Sequence, residues 1–510
     1  MTMTKAVVIG LILLILSIIV IAMSVEATTY CMDHDGGDNS YSGVFGFGAD
    51  GLDSAWFTLQ WAMSLACGID DGDTCLIDAD IYTEDGWHDS TTAYGWSVGV
   101  VCSVKGSGWG DNEKIVYKGY RGRPIFDGED TMCVPYFRHT QDYQYGIFFL
   151  NDQFYIELDS LHIKCIGNGP PDWADEVGPE MTGFYSRGGD YLRFLRCKAE
   201  SIWVGGDPPS GNHAGGFSFN ECQEILCYEC TSRVVYEKEC DQNQACFDVA
   251  PGISGGGKNV IIRKCHGEYS SGGVDIKSYE TPHTVVESCT FYQCVEGIRA
   301  NSDSNTIAFN VLWGCRTGIY GYGGYGAIYG NKIYNNTVVL IIDKFVTPDW
   351  CNPLGRCGQG IGWDGPGVYV TDSIEIFNNI VVKEGAHQSE VDVAFLPLYA
   401  GEEGDTIYCD YNCLWDTTGA SNVEIGYLQD WKTFSWWQDT KKHDANGFVS
   451  DPYFVDLAND DYALSDSSPC RTAGRGGAWP SYMGAIDPDA EETIIHRKRL
   501  GAGVWGKGRL

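Results

Sequence analysis

The residues best placed to do chemistry recur at matching positions of a repeated short strand. In Gly273-Val-Asp-Ile-Lys277 the apolar Val274 and Ile276 alternate with Asp275 and Lys277. Alternation of period two puts the apolar pair on one face of a strand and the charged pair on the other. The same frame carries Asp248 and Ala250 upstream, then Arg299 and Asn301, and Tyr320 and Tyr322, downstream. Stacked in register, one outward row reads Ser218, Asp248, Asp275, Arg299, Tyr320, and the adjacent row reads Asn220, Ala250, Lys277, Asn301, Tyr322. Removal of a proton next to a substrate carboxylate needs a base, and Lys277 is the expected one if its neighbours lower its pKa. Arg299 is the expected charge against the enolate-like intermediate. Asp248 and Asp275, one repeat apart, are the expected oxygen ligands of a Ca²⁺ ion. Tyr320, Tyr322 and Asn301 are the expected substrate contacts. The same row also reads as cross-strand ion pairs worth roughly 0.2–1 kcal/mol each. Two carboxylates would admit an inverting hydrolase as well, although adjacent repeats set them closer than that chemistry prefers.

Those rows exist only if the strands stack, and the repeats say that they do. A Gly-apolar unit recurs at Gly146, Gly183, Gly216, Gly273, Gly297, Gly318 and Gly367, with Cys246 in the Gly place once. A second unit of alternating apolar residues follows and ends at Cys197, Cys230, Cys265, Cys289, Asn336, Asn379 or Asn412, and the most regular spacings, 24 and 22 residues, fall between Cys265, Cys289 and Val311. Repeats of twenty-odd residues made of short strands predict an all-β parallel β-helix, a solenoid. The Cys/Asn series then forms one inward column. Its amides bond between coils, and its thiols fill the same place as small apolar groups. In-register thiols suit disulfide torsions poorly, so the column is expected to be free, whereas Cys351 and Cys357 are expected to bridge a loop. The expected layout is a signal at 1–27, entry and first coils at 28–144, main coils at 145–415, a closing segment at 416–487 and a basic disordered tail at 488–510. The aromatic run Tyr427 to Trp437 is expected to pack on the last coils. The Asn335-Asn336-Thr337 sequon falls in the column, which argues against glycosylation there.

Composition narrows the function classes. With 34 Lys and Arg against 69 Asp and Glu, the net charge of −35 repels nucleic acid and anionic lipid. Gly at 65 residues and 13% aromatics favour turns and strands over helices. The chain opens with Lys5 before a run from Ala6 to Met23 without a charge, then Val25-Glu26-Ala27. This predicts export with cleavage after Ala27, the alternative being an uncleaved N-terminal anchor. The 21 cysteines fit an exported chain with some bridges and some buried thiols, and show no zinc spacing. A secreted monomer with no nucleic-acid partner, and no membrane partner after cleavage, is expected.

Several segments resemble the secreted pectate-lyase-like superfamily of parallel β-helix proteins. Tyr30 to Gly43 resembles its entry strand and turn, and Gly72-Asp-Thr-Cys-Leu-Ile77 with Tyr82-Thr-Glu84 resembles its first coil. Lys118 to Gly128 resembles the segment that enters its main stack, and Asp451 to Asp456, Ser468-Pro469 and Gly484-Ala-Ile resemble its closing segment. The resemblance implies a right-handed parallel β-helix, with capping segments at both ends, over roughly residues 30 to 487. It also implies a polysaccharide partner and favours a polysaccharide lyase acting by β-elimination. A non-catalytic polysaccharide-binding surface protein and a glycoside hydrolase are the alternatives that the same fold admits. Lyases of this fold resemble the row above in using Lys, often with Arg, beside acidic Ca²⁺ ligands.

Overall fold

The computed structural model describes residues 29–32, 73–79, 81–82, 114–127, 144–149, 154–167, 181–204, 214–237, 244–250, 258–277, 283–322, 327–341, 360–364, 369–384, 394–398, 407–419, 423–427 and 430–490. The signal segment, Cys351 and Cys357, and the tail from 491 lie outside them. Among the described residues no helix is long and apolar enough to cross a membrane.

Three sheets, here A, B and C, hold 12, 12 and 11 of the described strands. From Ile115 to Tyr427 each coil gives one strand to each sheet. One coil runs Asp190–Leu195 in A, Lys198–Val204 in B and Ala214–Asn220 in C, and the next begins with Gln223–Tyr228 back in A. Successive coils pair parallel and in register, as in Phe194 with Cys227, Ala199 with Ser232 and Phe217 with Phe247. The fold is the expected right-handed parallel β-helix. Alternation sends Leu192 and Phe194 inward and leaves Arg193 and Leu195 outside. Inside, like residues stack on like: the rings of Phe184, Phe217 and Phe247 follow one another at 4.7 and 5.1 Å between centroids.

The turn from A to B explains the column. One residue there is left-handed in coil after coil: Arg196, Glu229, Lys264, Ser288, Phe309, Asn335, Asn378 and Tyr411 all have φ between 50 and 59°. The residue after each turns into the core, where Cys197, Cys230, Cys265, Cys289, Asn336, Asn379 and Asn412 are all buried, as expected. Asn310 joins them between Cys289 and Asn336, at a step that the sequence spacing had assigned to Val311. The thiols do more than fill space. Cys197, Cys230, Cys265 and Cys289 donate to the carbonyls of Leu158, Phe194, Cys227 and Ile262 on the preceding coil, at 3.1–3.4 Å. Asn310, Asn336, Asn379 and Asn412 donate to Val286, Ile307, Ile333 and Ile376 in the same way. All these cysteines are unbridged.

The glycine series of sheet C needs one correction. Gly318 is followed in register by Gly360 rather than Gly367, because Ile319 pairs with Ile361 while Tyr369 pairs with Ala327 in a separate two-stranded sheet. A Cβ on Gly318 would meet the Gly360 carbonyl at 2.2 Å, so close coil-to-coil approach is what demands glycine here.

Two stretches pack on the coils at the C-terminal end. Phe434 and Trp437, from the aromatic run, are buried in the main core cluster over the last coils. The segment after Val449 folds back over the outer face of sheet B. There Tyr462, Leu464, Met483 and Ala485 pack on Val311, Trp313, Val339, Ile380 and Val382 in a second apolar cluster. Asn335 donates to the Tyr482 and Gly484 carbonyls, and Asn378 donates to Pro480. The sequon asparagine is therefore buried under this segment, in line with the sequence reading.

Candidate functional site

The expected outward rows form on sheet C. Val274 and Ile276 lie in the core, while Asp248 pairs with Asp275, Asp275 with Arg299, Lys277 with Asn301 and Arg299 with Tyr320. The strands Gln244–Ala250, Gly272–Lys277 and Glu296–Asn301 thus bring the four candidate charges together.

Their side chains make one network. The Lys277 ammonium lies 3.2 Å from both Asp248 Oδ1 and Asp275 Oδ2. Arg299 grips Asp275 with two nitrogens, Nε at 2.6 Å from Oδ1 and Nη2 on Oδ2. Ser218 donates to Asp248 Oδ2 at 3.3 Å. Two carboxylates face two cations, so the quartet is electrically balanced. Burial opposes ionisation of Asp275, but Arg299 and Lys277 outweigh it and hold the carboxyl below its usual range. Burial likewise works against the Arg299 charge, yet Asp275 keeps the guanidinium well above its ordinary value. Burial also raises the Tyr320 phenol well above its usual range, with the Glu296 carboxylate adding to the effect.

The expectation of an open face is corrected. Asp248, Asp275, Arg299, Asn301 and Tyr320 are all buried. An outward direction on a strand sets a side chain's face, not its exposure. Lys277 is the most exposed of the quartet, with 16% of its side chain accessible. Tyr322 ends the strand Thr317–Tyr322 and pairs by its backbone with Asp364.

The donor set does not fit a calcium ion. Such an ion takes about six to eight oxygens, and among the described residues no group of three or more His, Cys, Asp or Glu gathers to hold a metal. Asp248 and Asp275 are already turned to Lys277 and Arg299. Nor does the pair suit an inverting hydrolase, because the lysine fills the space between the carboxylates where a water would sit.

A second ionic cluster, on sheet B, was missed. Glu200 lies 3.2 Å from His162 and 2.7 Å from Lys198, and Arg233 reaches Glu268 at 2.9 Å and Glu200 at 3.6 Å. The His162 hydrogen bond, joined by Lys198 and opposed by burial, brings the Glu200 carboxyl down to about 2. Glu296, beside Tyr320, was missed too. The signal was present: Lys198-x-Glu200, Thr231-x-Arg233 and His266-x-Glu268 share a frame exactly as the sheet C rows do.

No family model and no curated protein matches the sequence. Solved structures similar to this chain include a rhamnogalacturonan lyase, 14% identical, covering 75% of this chain and 87% of that one at a TM-score of 0.47. The pectate lyase Pel9A is 14% identical, with 91% and 95% covered at 0.39. A lacto-N-biosidase from Eubacterium ramulus is 11% identical, with 79% and 65% covered at 0.44. At these values no activity is transferred from any of them.

Proposed function

We propose that this is a secreted, carbohydrate-active β-helix protein, a polysaccharide lyase that cleaves a uronate-containing polymer by β-elimination. One observation supports the reading above others. Lys277 lies at the more accessible edge of a buried, charge-balanced quartet, held between two carboxylates with Arg299 clamped behind. Burying four charges is costly beside an apolar alternative, which gives their retention a reason other than stability. In this reading Lys277, an ammonium in the resting quartet, gives up its proton as the substrate enters and then, as the amine, takes the proton on the carbon next to the substrate carboxylate. The electron pair left behind forms the new carbon–carbon double bond, and the bond to the glycosidic oxygen breaks, its pair leaving with that oxygen, which takes a proton back from the Lys277 ammonium. Arg299 faces the charge that develops on the carboxylate. Asp248 and Asp275 position the lysine. No step runs through a metal.

The test is a panel of uronate and neutral polysaccharides, with and without Ca²⁺, read by the ultraviolet absorbance of the unsaturated product. Elimination on one uronate polymer is expected, falling about 100-fold or more in Lys277→Ala with the circular dichroism unchanged. Full activity in that variant would overturn the mechanism. The neutralisation of the quartet from within also favours a second reading, a non-catalytic polysaccharide-binding surface protein. Binding without elimination on every polymer would select it.

A further inference from the structure

The two outward rows of sheet C are not equally accessible. In the row Tyr185, Ser218, Asp248, Asp275, Arg299, Tyr320 every residue is buried. The row beside it, Arg187, Asn220, Ala250, Lys277, is half-buried, and it closes again at the buried Asn301. This second row is continuous. Arg187 pairs with Asn220 and Asn220 with Ala250; Val249 pairs with Ile276, which sets Ala250 beside Lys277. The accessible positions therefore run from Lys277 toward the N-terminal coils and not toward Asn301. Between Asn220 and Lys277 the row holds only the methyl group of Ala250, which leaves room above that coil.

The far end of the row is a cation with unspent donors. Arg187 Nη2 stands 3.6 Å from Glu221 Oε1, beyond hydrogen-bond reach, with 33% of the arginine side chain accessible. Arg187 Nε is buried and has no hydrogen-bond partner among the described residues. A loose pair of this kind contributes little stability, and a buried donor without an acceptor is costly. The guanidinium fork matches a planar carboxylate through two bonds. Its charge is also scarce here. The chain as a whole carries −35 and repels a polyanion. On the strands Gln144–Phe149, Met181–Arg187, Ala214–Asn220 and Gln244–Ala250, Arg187 is the one cation.

We propose that Arg187 binds a second carboxylate of the same uronate chain, three coils and about 14 Å from Lys277. The polymer then lies along the row, across the strands, and extends from the cleaved bond toward the N-terminal coils. The proposal rests on the uronate reading of the site and narrows its substrate class. A sugar unit is about as long as one coil spacing, so the preferred substrate is a run of about four or more units. The unit over Arg187 carries a free acid rather than an ester.

The test compares the dimer with the hexamer of galacturonate, and likewise of mannuronate, on the wild type, Arg187→Ala and Arg187→Lys. The readout is kcat/KM from product absorbance where the oligomer is cleaved, and the dissociation constant from calorimetry where it is only bound. On one of the two sugars the wild type should favour the hexamer by about tenfold or more. That ratio should fall toward one in Arg187→Ala and recover in part in Arg187→Lys. An arginine with only a structural role would weaken both oligomers alike and leave the ratio in place. That result, or a wild-type ratio near one on both sugars, overturns the proposal. Glu221→Gln keeps Arg187 and removes the charge that competes for it, so it should raise the ratio; an unchanged or lower ratio counts against the subsite. An Arg187-dependent ratio in binding without elimination sinks the lyase reading and leaves this subsite standing. Elimination without the ratio does the reverse, and failure to bind either oligomer overturns both.

Discussion

The inner column is built in two halves from two chemistries, and they do the same job unequally. From Cys197 to Cys289 a sulfur reaches the carbonyl of the preceding coil at 3.1–3.4 Å. From Asn310 to Asn412 an amide nitrogen reaches the equivalent carbonyl at 2.9–3.1 Å. The amide also has an acceptor. Asn310 Oδ1 takes the N–H of Cys289, Asn336 Oδ1 that of Asn310, Asn379 Oδ1 that of Asn336, and Asn412 Oδ1 that of Asn379. The nearest thiol counterpart is Cys265 N to Cys289 Sγ at 3.4 Å. A thiol is a weak donor and a weak acceptor, whereas an amide is strong in both roles. The asparagine half is thus a continuous polar chain in a buried core, where each bond strengthens the next and each missing partner is costly.

The largest effect should therefore come from a break in the middle of the asparagine half. Asn379 Nδ2 donates to Ile333 O, Phe377 O and Asn412 Oδ1, and its Oδ1 accepts from the backbone and side chain of Asn336. Asn379→Ala removes all of these and orphans groups on three coils. A loss of about 3–5 kcal/mol is expected from unmade buried bonds plus the cavity, measured as the shift of the urea unfolding curve. A loss below that of a column cysteine would contradict the ranking of the two halves.

The comparison also separates what the sequence displays from what it hides. Strands, coil register and most of the column are periodic, and periodicity survives without any knowledge of packing. Asn310 escaped because the residue beside it, Val311, continued the apolar alternation. Gly360 escaped because Gly367-Val-Tyr mimics the unit one loop away. For the candidate site, the facing of Asp248, Asp275, Lys277 and Arg299 was legible, since it depends only on alternation. Their burial was not, since it depends on what covers the sheet. Asp444 was illegible for another reason: it lies past the last repeat, so no column points to it, yet it ends the asparagine chain.

That terminus should carry a pH signature, the second effect in size. Asp444 Oδ1 accepts from Asn412 N at 3.1 Å and Nδ2 at 2.9 Å, and Oδ2 accepts from the Cys409 thiol at 3.0 Å. Burial raises its carboxyl to about 6 from the ordinary 3.8, against the pull of those donors. A folded-state value above the unfolded one means that the native protein binds the extra proton between these limits. The associated stability is full below about pH 4 and is lost as pH rises through about 6, a change of about 3 kcal/mol at most. Asp444→Asn has no such proton. The wild-type stability minus that of the variant should fall between pH 4 and 6 and stay level above. A difference that is flat across this range would show that the end of the chain does not titrate there.

The smallest effect should come from the cysteine half, where the question is whether sulfur is a filler or a donor. Cys265 Sγ lies 3.4 Å from the Cys227 carbonyl, and the Cys265 N–H leans on Cys289 Sγ. Its environment is apolar and fully buried. Cys265→Ala removes both the sulfur's bulk and its donor, and should cost about 1–2 kcal/mol, less than Asn379→Ala because only weak thiol contacts, to the Cys227 and Arg263 carbonyls, are lost. Cys265→Ser keeps a donor, and a stronger one, while giving up apolar volume. If donation to the preceding coil is what the position requires, the serine variant should unfold later than the alanine variant in urea. If the thiol is only a small apolar plug, burying a hydroxyl gains nothing and serine should be the worse of the two. The order of the two midpoints decides between these roles. It also decides whether the two halves of the column are one device in two chemistries or two devices that share a position.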